Sequence, residues 1–289
     1  MNLHPPLTRL PFFCVSLILA AFSLVVLFDP TRQALAADIS REVRQGQAQT
    51  DGFLELGLNL GFFRVPVVGL TDNDDDPTDP ELSLGLIFNG MVEWRGFFAE
   101  ALFDSFGGVT LGYRAIRDEN RSFELVLTNT LHIAEPDTAG FENIETRDPD
   151  AVFGLRSSWY LPNSIAQFSL LTDVSDTHNG FTASAHWGKT WQIRNWNLHA
   201  MTGLRHFSEK VSDYYLGVPI DQVSTEAPAY QARAGTLVEF DLGATVPLNE
   251  NWIFRTGLQV YRLPGSFVDS PLTSARVAYE ISNGVYYVF

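Results

Sequence analysis

A single cysteine, Cys14, occurs in the whole sequence, and it lies near the start. The residues downstream of it therefore form no disulfide and no thiolate metal site. Nor does Cys14 mark a lipid anchor, because Pro11-Phe12-Phe13 before it lack the small residue that precedes a lipoprotein cysteine. Basic residues are scarce as well, 19 Lys and Arg against 34 Asp and Glu, for a formal charge of −15. That balance excludes a nucleic-acid partner, since phosphate binding needs a basic surface that releases counterions. Beyond residue 36 there is no apolar run long enough for a membrane-spanning helix. A chain that crosses a membrane under this restriction crosses as strands.

What is present at the beginning reads as an export signal. Arg9 supplies a basic start, and Pro11 to Phe28 carries no charge. A polar break at Asp29 to Gln33 follows, and then Ala34 and Ala36 fit the small-x-small cleavage rule. Cleavage is expected between Ala36 and Ala37. The expected division is a signal peptide over 1–36, a polar periplasmic segment over 37–51 and a barrel over 52–289. Removing Arg9, Arg32 and Asp29 with the leader makes the remainder slightly more negative than the whole chain.

The body of the chain alternates with period two. Leu54, Leu56, Leu58, Leu60 and Phe62 share one face of the first segment, and Glu55, Gly57, Asn59 and Gly61 the other. A helix would scatter those leucines around its circumference. The pattern returns in Phe123 to Ile133, where Asn129 is a misfit, and in Leu237 to Val246 and Trp252 to Val260. Charges at alternate positions are tolerated when they point into a wet or hydrogen-bonded lumen.

These patterns predict an all-β fold, a transmembrane antiparallel barrel of about twelve strands. Strands are expected near 53–63, 82–89, 92–103, 109–116, 121–134, 151–160, 165–174, 181–191, 196–207, 236–246, 252–263 and 275–289. Taken alternately, one set of connections is short, including Asn89 to Met91, Arg117 to Asn120 and Gln192 to Asn195. The other set is mostly longer. Short periplasmic turns and long external loops are the arrangement of outer-membrane barrels. A secreted β-sandwich would alternate too, but it would not require Trp94, Trp159, Trp187, Trp191, Trp196 and Trp252 to sit toward strand ends, where aromatic belts meet head groups.

The chain stops on Phe289, with Val285 and Tyr287 on the same face of the last strand. This ending resembles the signal by which the outer-membrane assembly machinery recognises its clients. The last third also resembles the MipA/OmpV family of outer-membrane proteins. The stretches that carry the likeness are Asp213-Tyr214-Tyr215-Leu216-Gly217-Val218, Ala229-Tyr230, Ala244 to Trp252 with Pro247 and Leu248, and Asp269-Ser270-Pro271. Weaker similarity covers Leu56 to Pro66 and Trp94 to Glu100, while Glu135 to Asp150 departs from the pattern. The resemblance implies a barrel in the cell outer membrane, in contact with lipid and lipopolysaccharide. It also implies an envelope scaffold joining a murein lytic transglycosylase to a murein synthase, a role described for at least one member.

No enzyme chemistry is expected. His206-Phe207-Ser208 resembles the arrangement of outer-membrane lipid hydrolases, but Trp196, Leu198, Ala200 and Leu204 share the face of His206. No Gly-x-Ser-x-Gly elbow is present. The run Asp72-Asn73-Asp74-Asp75-Asp76 lacks the glycine and glutamate of an EF-hand, having Pro77 and Ser83 at those places, and reads as a solvated acidic loop. His132, His186 and His199 fall on expected lumen faces without metal-ligand spacing. No cofactor is expected. The alternative to a scaffold is a narrow pore for small solutes, whose lumen Glu93, Arg95, Glu124, Arg156, Glu239, Asp241, Arg255, Arg276 and Glu280 would either line or plug.

Overall fold

Each strand of the computed structural model pairs with its sequence neighbours, and the first pairs with the last, so the sheet closes on itself. The structure describes residues 52–68, 80–102, 108–130 and 140–289. The leader, the segment 37–51, the acidic run Asp72 to Asp76 and His132 lie outside the described residues. The strands are β1 (Gly52–Arg64), β2 (Glu81–Trp94), β3 (Phe97–Leu102), β4 (Gly108–Arg117), β5 (Arg121–Thr128) and β6 (Val152–Leu161). They continue as β7 (Ser164–Asp173), β8 (Phe181–Ile193), β9 (Trp196–Phe207), β10 (Gly235–Pro247), β11 (Trp252–Arg262) and β12 (Val277–Val288). Closure leaves no sheet edge, which is what hydrocarbon demands of a strand-built membrane protein.

The alternation takes the expected sense. Leu56, Leu58, Leu60 and Phe62 are exposed outward, while Glu55 and Asn59 are buried within the lumen. Trp94, Trp159, Trp191, Trp196 and Trp252 lie near the strand ends that carry the short turns, on the level of an interfacial belt. Trp187 is the exception and sits in the middle of β8.

Two boundaries differ from the sequence reading. The turn expected at Asn89 to Met91 is absent, and β2 runs through it with Asn89 only 2% exposed. The hairpin instead closes at Arg95 and Gly96, where Trp94 pairs with Phe97. Both turn residues have positive φ, 53° and 86°, as the two-residue turn that matches strand twist requires. Asn-Gly is a strong turn signal, but here the pleat is unbroken from Ser83 to Glu93. Arg95 accordingly leaves the lumen set and lies over the Trp94 ring. Arg276 also leaves it, because it precedes β12 and is exposed. The second difference is β5, expected to reach residue 134, which ends as a strand at Thr128.

Candidate functional site

The lumen is built from inward side chains that pair across strands. On the wall formed by β2 to β6, Glu124 accepts from Arg114 Nε at 2.7 Å and from Arg156 Nε at 2.8 Å. Arg156 also donates to Glu100 at 2.9 Å, and Arg114 donates to Glu93. Both guanidiniums lie over the Phe98 ring, at 5.3 and 5.5 Å. On the facing wall, Glu239 holds Arg205 Nε at 2.7 Å and His186 Nε2 at 2.8 Å. His199 Nε2 lies 2.9 Å from Asp241, and Arg255 reaches Glu55 at 3.1 Å across β12.

Local sequence explains how these groups meet. Gly203 stands in register between His186 and Glu239. A Cβ there would come within 2.0 Å of the imidazole, so glycine leaves the slot through which the ring reaches its carboxylate. Between the two walls remains a cavity of about 130 Å³.

The long-loop end is covered by a folded lid. It contains α1 (Glu209–Leu216), a 3-10 turn at Ile220–Gln222 and α2 (Gly265–Val268). Val211, Tyr215, Leu216, Ala232 and Phe267 pack with Val67, Leu263 and the strand-end residues Phe207 and Leu237. A second cluster joins Ile144, Val218, Ala227 and Leu272. Polar ties link loops far apart in sequence. Arg147 donates to Gly217 O at 3.3 Å and to Gln222 Oε1 at 2.9 Å, Ser270 donates to Leu216 O at 2.6 Å, and Asp213 accepts from Ala232 N–H at 2.8 Å. His178 is completely enclosed, between Asp150 at 2.8 Å and the N–H of Gly180 at 2.9 Å, with Tyr214 and Tyr215 against its ring.

A family profile described as MltA-interacting protein MipA matches residues 43–289. The chain belongs to the MipA family. Among relatives of this MipA-family barrel are the YiaT outer membrane proteins of Escherichia coli. The one from strain O157:H7 is 25% identical over 188 residues, covering 62% of this chain and 75% of the relative. The one from strain K12 is 24% identical over the same length. Solved structures with similar architecture include OprD of Pseudomonas aeruginosa, at 10% identity and a TM-score of 0.36 over 83% of this chain and 94% of that one. The toluene transporter TodX of Pseudomonas putida matches at 11% identity and 0.35, over 84% and 90%. The protein is an outer-membrane β-barrel.

Most of the residues that carried the family resemblance come together in the lid of this MipA-family chain. Tyr214 and Tyr215 lie on α1, and Gly217 donates its N–H to Asp213 O. Val218 pairs with Tyr230, whose hydroxyl donates to Ser266 O at 2.7 Å. Asp269 and Ser270 follow α2, and Pro271 comes next. Pro247, Leu248 and Trp252 are apart from them, at the short turn between β10 and β11. The lid was legible only as recurring residues in loops. No local pattern announced its long-range ties.

His206 and Ser208 do not act on one another. His206 lies 3.0 Å from Thr236 Oγ1 on the outer surface, while Ser208 Oγ accepts from Phe181 N–H at 3.0 Å. His186 and His199 are lumen residues paired to carboxylates, as given above, and among the described residues no cluster suited to a metal is found.

The lid carries a titration that can be read directly. Burial raises the phenols of Tyr214 and Tyr230 above their ordinary value of 10.0. A raised folded value means their contribution is complete below pH 10.0 and is lost as pH climbs through the folded value. Ionisation also removes the proton that Tyr230 gives to Ser266 O and Tyr214 to Asp148 O. The lid is therefore expected to loosen as pH rises into the alkaline range. Tyrosinate absorbance should show a late-titrating fraction that shrinks in Tyr214→Phe with Tyr230→Phe, and an unchanged titration would count against a packed lid.

Proposed function

We propose that this barrel is a non-catalytic envelope scaffold that holds murein-processing enzymes against the inner side of the outer membrane. The observation that carries the reading is the interior, cross-braced by ion pairs between strands and topped by a packed lid. Such a barrel is built to stand in the membrane and be held to. The family's description, MltA-interacting protein, supports a murein transglycosylase as one partner, and the resemblance implies a murein synthase as another. Separate partners for His206 and Ser208 support the absence of lipid hydrolysis.

Murein lies on the periplasmic side, away from the long loops and the lid. The short turns offer only a thin rim. The docking element is the polar segment Ala37 to Asp51, with Arg41, Arg44, Gln45, Gln47 and Gln49, a composition that cannot bury an apolar core on its own. Removing Ile39 to Gln49 is expected to leave a heat-modifiable, inserted barrel that no longer co-purifies a lytic transglycosylase and a murein synthase. Full retention of both enzymes would overturn docking through this segment.

The cavity between the charged walls favours a second reading, a narrow pore. Single-channel recording on the refolded mature protein separates the two, since a scaffold whose ion pairs plug the lumen gives no unitary steps and a pore does.

A further inference from the structure

Inward residues of β6 to β9 align in level rows. Arg156 pairs with Ser169, Ser169 with Ser184, and Ser184 with Arg205, so two guanidiniums flank two serines. The neighbouring row toward the short turns holds Ser158, Gln167, His186 and Gly203. Residues of both rows line the cavity of about 130 Å³, with Thr110 and Thr128 completing it from β4 and β5. That space equals roughly four waters at about 30 Å³ each.

Every ion identified on this wall already has a counter-ion. Arg156 sits between Glu100 and Glu124, and Arg205 pairs with Glu239, which also accepts from neutral His186. A charged ligand would lose its hydration and meet no uncompensated partner. What remains open is hydrogen bonding of both signs. Arg156 Nη2 is buried without an acceptor. With Nε2–H given to Glu239, His186 Nδ1 presents a lone pair, and it is buried without a donor. Between them stand hydroxyls, which donate or accept as required.

We propose that this cavity binds a small uncharged polyol of about three to five carbons, the size that replaces about four waters. Its hydroxyls bridge Ser169 and Ser184 and, with a small shift of the lining side chains, accept from Arg156 and donate to His186. The inference stands apart from the scaffold reading, because its readout is binding to the isolated barrel.

The test uses the refolded mature protein in detergent, with saturation-transfer NMR for glycerol, erythritol and xylitol beside acetate and ethylammonium. The polyols are expected to bind and the two ions to give no signal. Ser169 and Ser184 bond one another at 2.7 Å, so replacing both by valine leaves neither partner stranded. Ser169→Val with Ser184→Val is expected to weaken polyol binding about tenfold or more, a change of about 1.4 kcal/mol, with an unchanged heat-modifiable gel shift. Equal binding of acetate or ethylammonium overturns the proposal. So does a cavity that takes up water only, or a double variant that folds and binds xylitol as before.

Discussion

Glu124→Gln is expected to destabilise the barrel by about 3 kcal/mol or more, the cost of removing one partner from a buried ion pair. Glu124 is 1% exposed and is the acceptor shared by Arg114 and Arg156. Glutamine keeps its volume but supplies no charge, and two guanidiniums are left on one wall with Glu93 and Glu100 alone. The effect should be much smaller when Arg114→Met accompanies Glu124→Leu, because an apolar pair of similar size leaves no charge stranded. In that variant Arg156 keeps Glu100, and Glu93 keeps Arg117 at 3.9 Å. Urea unfolding of the barrel in lipid vesicles measures both variants. If Glu124→Gln unfolds with the wild type, the ion pairs do not brace the lumen.

Deleting Phe289, or replacing it with aspartate, is expected to leave export intact and reduce the outer-membrane fraction to a minor part, with the chain held in the periplasm. In the finished barrel Phe289 donates its N–H to Leu54 O at 3.0 Å, and its ring lies 4.7 Å from Tyr287, which in turn lies 5.2 Å from Trp252. The side chain is 68% exposed, so its loss costs the folded state little packing. A large defect in cells beside a normal unfolding curve after refolding in vitro would therefore locate the effect in recognition. Val285 and Tyr287 share its outward face and are expected to act with it, so their replacement by charged residues should give the same defect. Normal membrane levels of the truncated chain would end that assignment, and a matching loss of stability in vitro would reassign Phe289 to seam closure between β1 and β12.

Alternation, together with the tryptophans near strand ends and the alternately short and long connections, determined that the chain is a membrane barrel of about twelve strands and which side of each faces lipid. The physical reason is that pleating is local: Leu56, Leu58 and Leu60 take one side whatever strand lies next to them. The short and long connections set the expectation of which rim faces the periplasm. Register and partner were left to the tertiary structure. Asn89-Gly90 and Arg95-Gly96 both satisfy the chemistry of a tight turn, and the choice fell to the second because β2 pairs with β1 along Glu81 to Val92. Arg156 could be placed in the lumen from sequence, but not beside Glu100 and Glu124, which are 56 and 32 residues away along the chain. The lid lay furthest from view. Its members run from Val67 to Leu272, and no local rule joins them, since only closure of the barrel brings those loops over one opening.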